Sequence, residues 1–227
     1  MRLLAIGDIH GCLGAFNSLL DWVQPTTEDV VVALGDYVDR GPDSNGVLDR
    51  LIALKKELNL ICLRGNHEQM MLDARRGTAS DEKMWLGVGG AKTLESYAAS
   101  PGRAGTLADV PREHWDFLSE SLASYHETDR FIFVHATVLT DHAMADQPDF
   151  ALLWDFLPDT MRHYSGKIVI CGHTNQKSGE PKVIPGAVCI DTCVYRTGWL
   201  TCLEAATGQF WQADPTGRRR EGQVNYD

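Results

Sequence analysis

The sequence predicts an α/β fold in which a second β-sheet packs on the first. Three observations lead to this prediction. Up to about residue 76 the chain alternates short apolar runs with helix-like segments, and from Arg130 onward it is rich in strands separated by Gly and Pro turns. In addition, a polar motif containing glycine follows each of the first three apolar runs, where ligand sites lie in open α/β sheets.

The first part of the chain follows a β-α-β-α-β-α order. Its predicted strands cover residues 2–6, 30–34 and 60–63, and its predicted helices cover residues 13–23, 44–58 and 69–75. Residues 78–122 keep a helical spacing of apolar positions that Gly89-Gly90 interrupts, so we expect a helical insertion covering one side of the sheet. Later strands are predicted at 131–134, 168–171, 187–190, 199–203 and 210–212.

The length of the chain favours one domain, which we place at residues 1–214. Residues 215–227 include Arg218-Arg219-Arg220 and have almost no apolar content, so this segment is predicted to be a flexible tail.

The composition excludes several classes of protein. A formal net charge of −10 argues against a nucleic-acid scaffold and against binding to anionic membranes. The apolar stretch near the N-terminus covers only Leu3 to Ile6, which is too short for a signal sequence or a membrane span. We therefore expect a cytoplasmic protein, a monomer, with no nucleic-acid or membrane partner. Its six cysteines form no CxxC pair and are predicted to be buried, reduced thiols.

Three motifs carry the chemistry: GDIHG at residues 7–11, GDYVDRG at 35–41 and GNHE at 65–68. Two more histidines, His135 and His173, also follow apolar strand-like runs. Carboxylate and amide oxygens suit hard cations, and imidazole suits transition metals. Together these elements offer six candidate ligands: Asp8, His10, Asp36, Asn66, His135 and His173. A bridging carboxylate can hold two cations roughly 3.5–4 Å apart, a geometry that suits the hydrolysis of phosphate esters.

In this order, the three motifs and the later VHA and GHT histidines resemble the phosphoprotein phosphatase branch of the calcineurin-like metallophosphoesterases. The segments WLGVGGAKTLESY and ETDRFIFVHA extend the likeness to the small bacterial serine/threonine phosphatases. The resemblance covers residues 1–214 and implies the calcineurin-like fold, an α/β/β/α sandwich of two packed mixed β-sheets flanked by helices.

The resemblance also implies a role for each motif residue. The expected ligands are Asp8 and His10 for the first metal, Asp36 as the bridge, and Asn66, His135 and His173 for the second metal. A water or hydroxide shared by the metals would attack the phosphorus directly, because metal coordination lowers the pKa of water toward about 7. His67 is expected to protonate the leaving oxygen, Asp39 to orient His67, and Arg40 to hold the phosphoryl group, which Asn66 and His67 also contact.

One position departs from the pattern of the family. Bacterial members often carry a second phosphate-binding arginine two residues after the Trp of an LLW motif, but here Trp154 is followed by Asp155 and Phe156. We expect Arg196 to replace it, with Arg162 as the alternative.

The leading functional prediction is a serine/threonine protein phosphatase that hydrolyses phosphate monoesters of phosphoproteins or small molecules. A dinucleoside polyphosphate hydrolase related to the diadenosine tetraphosphatases is the alternative, although those enzymes generally lack the Asp-Arg-Gly ending at residues 39–41. A non-catalytic binding protein on the same fold would predict eroded ligands, and none of the six is eroded. The expected cofactor is a pair of divalent metal ions, with manganese favoured over iron and zinc.

Overall fold

Two β-sheets form the centre of the fold. The computed structural model describes residues 1–100, 104–196 and 198–226. In chain order its strands are β1 (Leu3–Ile6), β2 (Val30–Ala33), β3 (Asn59–Cys62), β4 (Tyr125–Glu127), β5 (Phe131–Val134), β6 (Ile168–Cys171), β7 (Lys182–Ile184), β8 (Ala187–Cys189), β9 (Leu200–Glu204), β10 (Gln209–Ala213) and β11 (Arg219–Gln223).

Helices cover the outer faces of the sheets and fill the connections. They are α1 (Leu13–Val23), α2 (Ser44–Glu57), α3 (Asn66–Arg76), α4 (Ala79–Trp85), α5 (Ala91–Ser96), α6 (Arg112–Glu120) and α7 (Asp149–Leu153). A π-helical turn at Leu86–Gly90 joins α4 to α5, and short 3₁₀ turns lie at Leu107–Asp109 and Met144–Asp146. Helices α4 to α6 therefore occupy the segment for which a helical insertion is predicted.

Each of the two sheets contains three parallel strands. The first sheet has the order β11-β10-β9-β1-β2-β3, in which β1, β2 and β3 are parallel. The second has the order β4-β5-β6-β8-β7, in which β5, β6 and β8 are parallel. Antiparallel strands complete both sheets, so the predicted pair of mixed sheets with flanking helices is confirmed.

Alternation along each strand divides the core into three layers. Leu4 and Ile6 face the helices that cover the first sheet, whereas Ala5 between them points into the layer between the sheets. Phe133 joins Ala5 in that layer, and its neighbour Val134 faces the opposite side, toward α7. Because side chains of a strand alternate between its faces, this pattern fixes the register of both sheets relative to the core.

The C-terminal segment differs from the predicted flexible tail. Residues 219–223 form β11, which pairs with β10 along its whole length. Val224 beyond the strand is 7% exposed, and the Tyr226 ring packs 6.1 Å from the Phe131 ring. The low apolar content of this segment did not indicate a strand. An edge strand forms hydrogen bonds with its neighbour and needs few apolar residues of its own. One of its arginines is also paired, since Arg220 Nη2 lies 2.9 Å from Glu180 Oε1.

This packing leads to a test of stability. Val224→Ala removes two buried methyl groups and is expected to cost about 1–2 kcal/mol, which lowers the melting temperature by roughly 2–8 °C for a protein of this size. Glu221→Ala, on the exposed face of β11, should leave the melting temperature nearly unchanged. Equal melting temperatures for Val224→Ala and the unmodified protein, measured by calorimetry, would restore the prediction of a flexible tail.

Two further observations concern the cysteines and the lengths of the helices. All six cysteines are free and buried, as predicted. In the described ranges, no helix is both long enough and apolar enough to cross a membrane.

Candidate active site

A polar side chain follows each of the six parallel strands. These residues are Asp8, Asp36, Asn66, His135, His173 and Asp191. Because the carboxyl ends of parallel strands meet at one edge of each sheet, the two packed sheets present six such side chains to the same region. Five of them were predicted from the sequence, and Asp191 was not.

The loops after the strands hold unusual backbone conformations. Positive φ angles occur at His10 (45°), Asp36 (51°), Asp39 (72°), Arg40 (68°) and His173 (60°). Residues other than glycine adopt this left-handed backbone conformation at an energetic cost, and residues that do so cluster at functional sites. The first two loops also interlock, since the backbone N–H of His10 donates to the carbonyl of Asp36 at 2.8 Å.

Two glycines are required by the close approach of carboxylates. A Cβ on Gly65 would lie 2.2 Å from Asp36 Oδ1, and a Cβ on Gly172 would lie 2.1 Å from Asp8 Oδ1. Any side chain at either position would displace a carboxylate from the site.

Two groups of side chains could each hold a metal ion, and they share Asp36. The first contains His10, Asp36 and His67, and the second contains Asp36, His135 and His173. Asp36 Oδ2 lies 3.4 Å from His10 Nε2, and Asp36 Oδ1 lies 3.3 Å from His135 Nε2. The two oxygens of one buried carboxylate therefore face different groups.

The hydrogen bonds of three histidines fix which nitrogen faces the site. Each ring donates to a backbone carbonyl: His10 Nδ1 to Val38 at 2.9 Å, His135 Nδ1 to Leu34 at 2.8 Å, and His173 Nε2 to Trp154 at 3.2 Å. Donation by one nitrogen leaves a lone pair on the other nitrogen, which can accept a hydrogen bond or bind a metal ion. Burial lowers the pKa of all three imidazoles, that of His173 to about 4, so the neutral form that binds metals is favoured.

The free lone pairs point at oxygen atoms that also carry lone pairs. Asn66 Oδ1 lies 3.0 Å from His135 Nε2 and 3.1 Å from His173 Nδ1. In the tautomers set by the backbone carbonyls, neither contact contains a proton to share. A cation between these atoms would satisfy all three of them, so this set of donors fits a metal ion.

Charges in the site support the same conclusion. Burial alone would raise the pKa of Asp36, but His135 and the other surrounding imidazoles lower it well below its usual range. Burial, together with the charges of Asp191 and Asp36, raises the pKa of Asp8. Burial also raises the pKa of Asp191 to about 6. Three buried carboxylates that repel one another in this way would be stabilised by divalent cations.

Asp8 has a different environment from the one predicted. Its two carboxylate oxygens accept from the backbone N–H of His173 at 3.3 and 3.1 Å. Neither of the two groups that share Asp36 includes Asp8, and the first contains His67 in its place. The ligand role of Asp8 therefore stays a prediction.

Glu68 organises the loop that carries Asp36. Its carboxylate accepts from the backbone N–H groups of Asp36 (2.8 Å), Tyr37 (2.7 Å), Val38 (3.2 Å) and Gly65 (2.9 Å). Burial, reinforced by the charge of Asp36, raises its pKa to about 7. Glu68 thus joins the second motif to the third through backbone N–H groups.

His67 and Asp39 form a buried pair beside the first group. His67 Nδ1 lies 2.6 Å from Asp39 Oδ2. The same carboxylate accepts from Trp85 Nε1 at 3.1 and 2.9 Å and from Thr93 Oγ1 at 2.6 Å. Burial lowers the pKa of His67, but Asp36 and Asp39 more than offset this effect and raise it overall. The protonated form of His67 is therefore favoured.

Arg40 lies at the edge of the same group. Its Nη1 donates to His10 Nε2 at 2.8 Å, and its guanidinium lies 4.8 Å from the centre of the Tyr195 ring. Its backbone N–H donates to the Gly89 carbonyl of the π-helical turn at 3.3 Å. The segment between α4 and α5 thus contacts Arg40 directly and, through Trp85 and Thr93, holds Asp39.

Arg196 approaches the same Tyr195 ring as Arg40. Arg196 is exposed and lines a separate cleft with Cys12 and Pro42, and its guanidinium lies 5.8 Å from the centre of the Tyr195 ring. Its role as a phosphate ligand stays a prediction.

The alternative, Arg162, lies beside the turn between β7 and β8. The adjacent Met161 bonds through its backbone N–H to the Pro185 carbonyl at the turn that leads into the start of β8. That turn is at the amino edge of the second sheet, opposite the carboxyl edge where the candidate site lies.

A cavity of about 700 Å³ opens over the second group. Its inner wall includes Asp36, Arg40, Asn66 and His173. Its outer wall includes Phe150, Trp154, Phe156, Asn175 and Lys177. A phosphorylated molecule that reached the two groups would pass between these walls.

Several residues of the site were missed in the sequence. Asp191 directly follows an apolar strand run, so its strand-end position was a usable signal. Its carboxylate accepts from the side-chain amide of Asn175, whose Oδ1 in turn accepts from the Tyr195 hydroxyl at 2.7 Å. Trp85 and Thr93 carried no such signal, because their partner Asp39 is 46 and 54 residues away along the chain.

Comparison with known proteins places this arrangement among phosphoesterases. Residues 1–177 match the family model of the calcineurin-like phosphoesterases. The serine/threonine-protein phosphatase 1 of Salmonella typhimurium is 44% identical over 86 residues, which is 37% of this chain and 37% of that protein. The symmetrical bis(5'-nucleosyl)-tetraphosphatase of Paracidovorax citrulli is 34% identical over 142 residues, which is 61% of this chain and 45% of that protein. The matches thus span less than half the length of either relative.

Solved structures show the same fold. A protein proposed to be a diadenosine tetraphosphatase superposes with a TM-score of 0.66 over 99% of this chain and 94% of that chain, at 19% identity. At this level of identity the likeness concerns the fold alone. The family model covers more than three quarters of the sequence, including all three motifs and both later histidines. The chain therefore belongs to the calcineurin-like phosphoesterase family.

Proposed function

We propose that the protein is a metal-dependent phosphomonoesterase acting on phosphoserine or phosphothreonine in proteins. One observation carries this proposal: a single buried carboxylate, Asp36, is shared by two groups of metal-binding side chains. That arrangement is what an in-line displacement at phosphorus with two metal ions requires. The likeness to a serine/threonine-protein phosphatase over 86 residues supports the choice of substrate.

The proposed ligands form two sets joined by Asp36. The first set is Asp8, His10 and Asp36, and the second is Asp36, Asn66, His135 and His173. A pair of divalent cations, for which we propose manganese, would supply a nucleophilic water at neutral pH and neutralise charge on the phosphoryl oxygens. The mixture of nitrogen and oxygen donors is compatible with this choice of metal.

The chain itself would bind the phosphoryl group and deliver a proton. Arg40 would donate to phosphoryl oxygens, and this role is supported by the position of its guanidinium beside His10 in the lining of the cavity. His67 would protonate the departing oxygen from Nε2, since its Nδ1 is engaged by Asp39. Asp39 would hold the ring in this orientation and favour its charged form.

A dinucleoside polyphosphate hydrolase is the second candidate. It is supported by the tetraphosphatase relative, whose match covers a longer part of this chain than that of the phosphatase. It is also supported by the cavity of about 700 Å³, which has room for more than a phosphoserine side chain.

A direct comparison of substrates tests the proposal. The purified protein is reconstituted with Mn²⁺ and assayed on a phosphoserine peptide, diadenosine tetraphosphate and p-nitrophenyl phosphate. We expect hydrolysis of the peptide with a higher kcat/KM than that of the dinucleotide. The opposite preference would replace the proposal with the second candidate, and inactivity on all three would indicate a non-catalytic binding protein.

A further inference from the structure

The outer wall of the active-site cavity carries two unusually exposed aromatic rings. Phe150 is 65% exposed and Phe156 is 70% exposed, and both line the cavity that contains Arg40 and His173. A single exposed apolar side chain is ordinary, but two in one concave wall beside a reactive site indicate a surface that binds something. Phe156 also occupies the position at which related bacterial phosphatases often carry an arginine.

Phe156 is already part of an aromatic stack. Its ring lies 5.4 Å from the His173 ring at an interplanar angle of 29°. Since the ring is 70% exposed, the face turned away from His173 is open to the cavity. A planar group from a substrate could extend this stack by lying on that face.

The backbone around the two rings is held in place. The carbonyl of Phe150 accepts from the N–H groups of Trp154 at 2.9 Å and Asp155 at 3.2 Å. On the other side of Phe156, the N–H of Leu157 donates to Thr174 Oγ1 at 2.9 Å. A surface that is ordered before binding loses little conformational entropy when a ligand arrives.

The cavity also holds two cationic side chains at different depths. Arg40 lies on the inner wall with His173, and Lys177 lies on the outer wall with Phe156. Lys177 forms no ion pair with any residue in the described part of the chain. A cavity lined by aromatic rings and by two positive charges suits an aromatic ring that carries a phosphate.

We propose that Phe156, with Phe150 beside it, forms a subsite for a planar aromatic group in the leaving part of the substrate. The inference rests on the proposed phosphoesterase function and adds to it a preference for substrates that carry a planar aromatic group near the phosphate. A tyrosine ring and a nucleobase share the chemistry that this subsite recognises.

Two substrates that differ only in the planarity of the ring test the subsite. Benzyl phosphate and cyclohexylmethyl phosphate release similar alcohols, so the reaction chemistry affects both alike. We expect the unmodified protein to favour the benzyl ester in kcat/KM by about fivefold, as stacking of one aromatic pair allows. Phe156→Leu keeps an apolar side chain without the ring and should reduce this ratio to about 1. An unchanged ratio in Phe156→Leu, or no preference in the unmodified protein, would overturn the inference.

Binding without turnover separates this inference from the proposed activity. Calorimetric titration with benzylphosphonate and cyclohexylmethylphosphonate, which are not hydrolysed, should show the same preference in Kd and the same loss of it in Phe156→Leu. A protein that discriminates the phosphonates but hydrolyses no ester would retain the subsite and lose the proposed function. Tyr164→Leu is the matched control, because Tyr164 is 65% exposed and does not line this cavity.

The source of the ring is distinguished by a second pair of substrates. Phe156→Leu is compared with the unmodified protein on a phosphotyrosine peptide and on diadenosine tetraphosphate. A selective loss on the peptide assigns the subsite to a tyrosine ring, and a selective loss on the dinucleotide assigns it to a nucleobase. If neither substrate loses kcat/KM relative to cyclohexylmethyl phosphate, the subsite does not exist.

Discussion

Asp36→Asn is expected to remove both the bound metal and nearly all hydrolysis. The substitution keeps the size of the side chain and removes its negative charge. We expect kcat/KM to fall by at least about 1,000-fold, which corresponds to about 4 kcal/mol of lost transition-state stabilisation. The metal content, measured by mass spectrometry after reconstitution, should fall from two ions to one or fewer per chain.

The expected size of this effect follows from the position of Asp36. Its side chain is 2% exposed, and its two oxygens lie 3.4 Å from His10 Nε2 and 3.3 Å from His135 Nε2. The surrounding imidazoles lower its pKa far below the usual value, although burial acts in the opposite direction. No other side chain belongs to both candidate groups in the described ranges. An asparagine would therefore leave each group without its anionic ligand.

A buried carboxylate outside the site provides the control. Asp29 is 3% exposed, accepts from Arg2 Nη2 at 2.7 Å, and precedes β2, at the end of the strand opposite to Asp36. Asp29→Asn should lower the stability of the protein, because it weakens a buried ion pair. Its metal content and its activity per folded molecule should remain unchanged. Two bound metals and ordinary turnover in Asp36→Asn would show that Asp36 is not the bridge.

The site residues that could be predicted from the sequence are those with metal-binding side chains at the ends of predicted strands. Asp36, Asn66 and His135 each stand one to three residues after the end of a short apolar run, and the topology of parallel strands then brings them together. The presence of a second sheet was predictable for the same reason, because short apolar runs bounded by turns identify the strands. Local patterns were sufficient here since each prediction depended on a few neighbouring residues.

The features of the site and the fold that could not be predicted depend on contacts between distant segments of the chain. The support of Asp39 by Trp85 and Thr93 spans 46 and 54 residues, and no periodicity in the sequence relates these positions. Strand β11 was mistaken for a tail because its stability comes from β10, not from its own apolar content. The role of Phe156 is not visible in the sequence, since its stack on His173 joins the loop after α7 to the loop after β6.

His67→Gln is expected to slow the hydrolysis of phosphoserine far more than that of an activated ester. A general acid contributes about 10²–10⁴-fold when the leaving group needs a proton. The alkoxide of serine is a poor leaving group, whereas dinitrophenolate departs without protonation. We therefore expect a loss of about 10²–10⁴-fold in kcat on a phosphoserine peptide and of about tenfold or less on 2,4-dinitrophenyl phosphate.

Metal content distinguishes this role from ligation. His67 belongs to the first candidate group, and its Nε2 lies 3.9 Å from Asp36 Oδ2, so it could in principle bind a metal. Its raised pKa favours a proton on that nitrogen, which prevents ligation. His67→Gln should therefore retain its metal ions. If it loses one of them, and both substrates slow equally, His67 is a ligand and the site needs another acid.

Two further substitutions extend the same experiment to the residues that hold His67. Asp39→Asn keeps an oxygen near Nδ1 but removes the charge that favours protonated His67, so it should reproduce the selective loss on the phosphoserine peptide. Trp85→Phe removes one donor to Asp39 and preserves the aromatic packing, so its loss of activity should be smaller and show the same selectivity.

His114→Gln is the matched control for these variants. His114 is another buried histidine paired with a carboxylate, at 2.9 Å from Asp49, and lies outside the site. Damage to folding or to the metal site slows the hydrolysis of both esters alike. A selective loss on the phosphoserine peptide in the His67, Asp39 and Trp85 variants, but not in His114→Gln, would therefore show that the His67 and Asp39 pair delivers the proton.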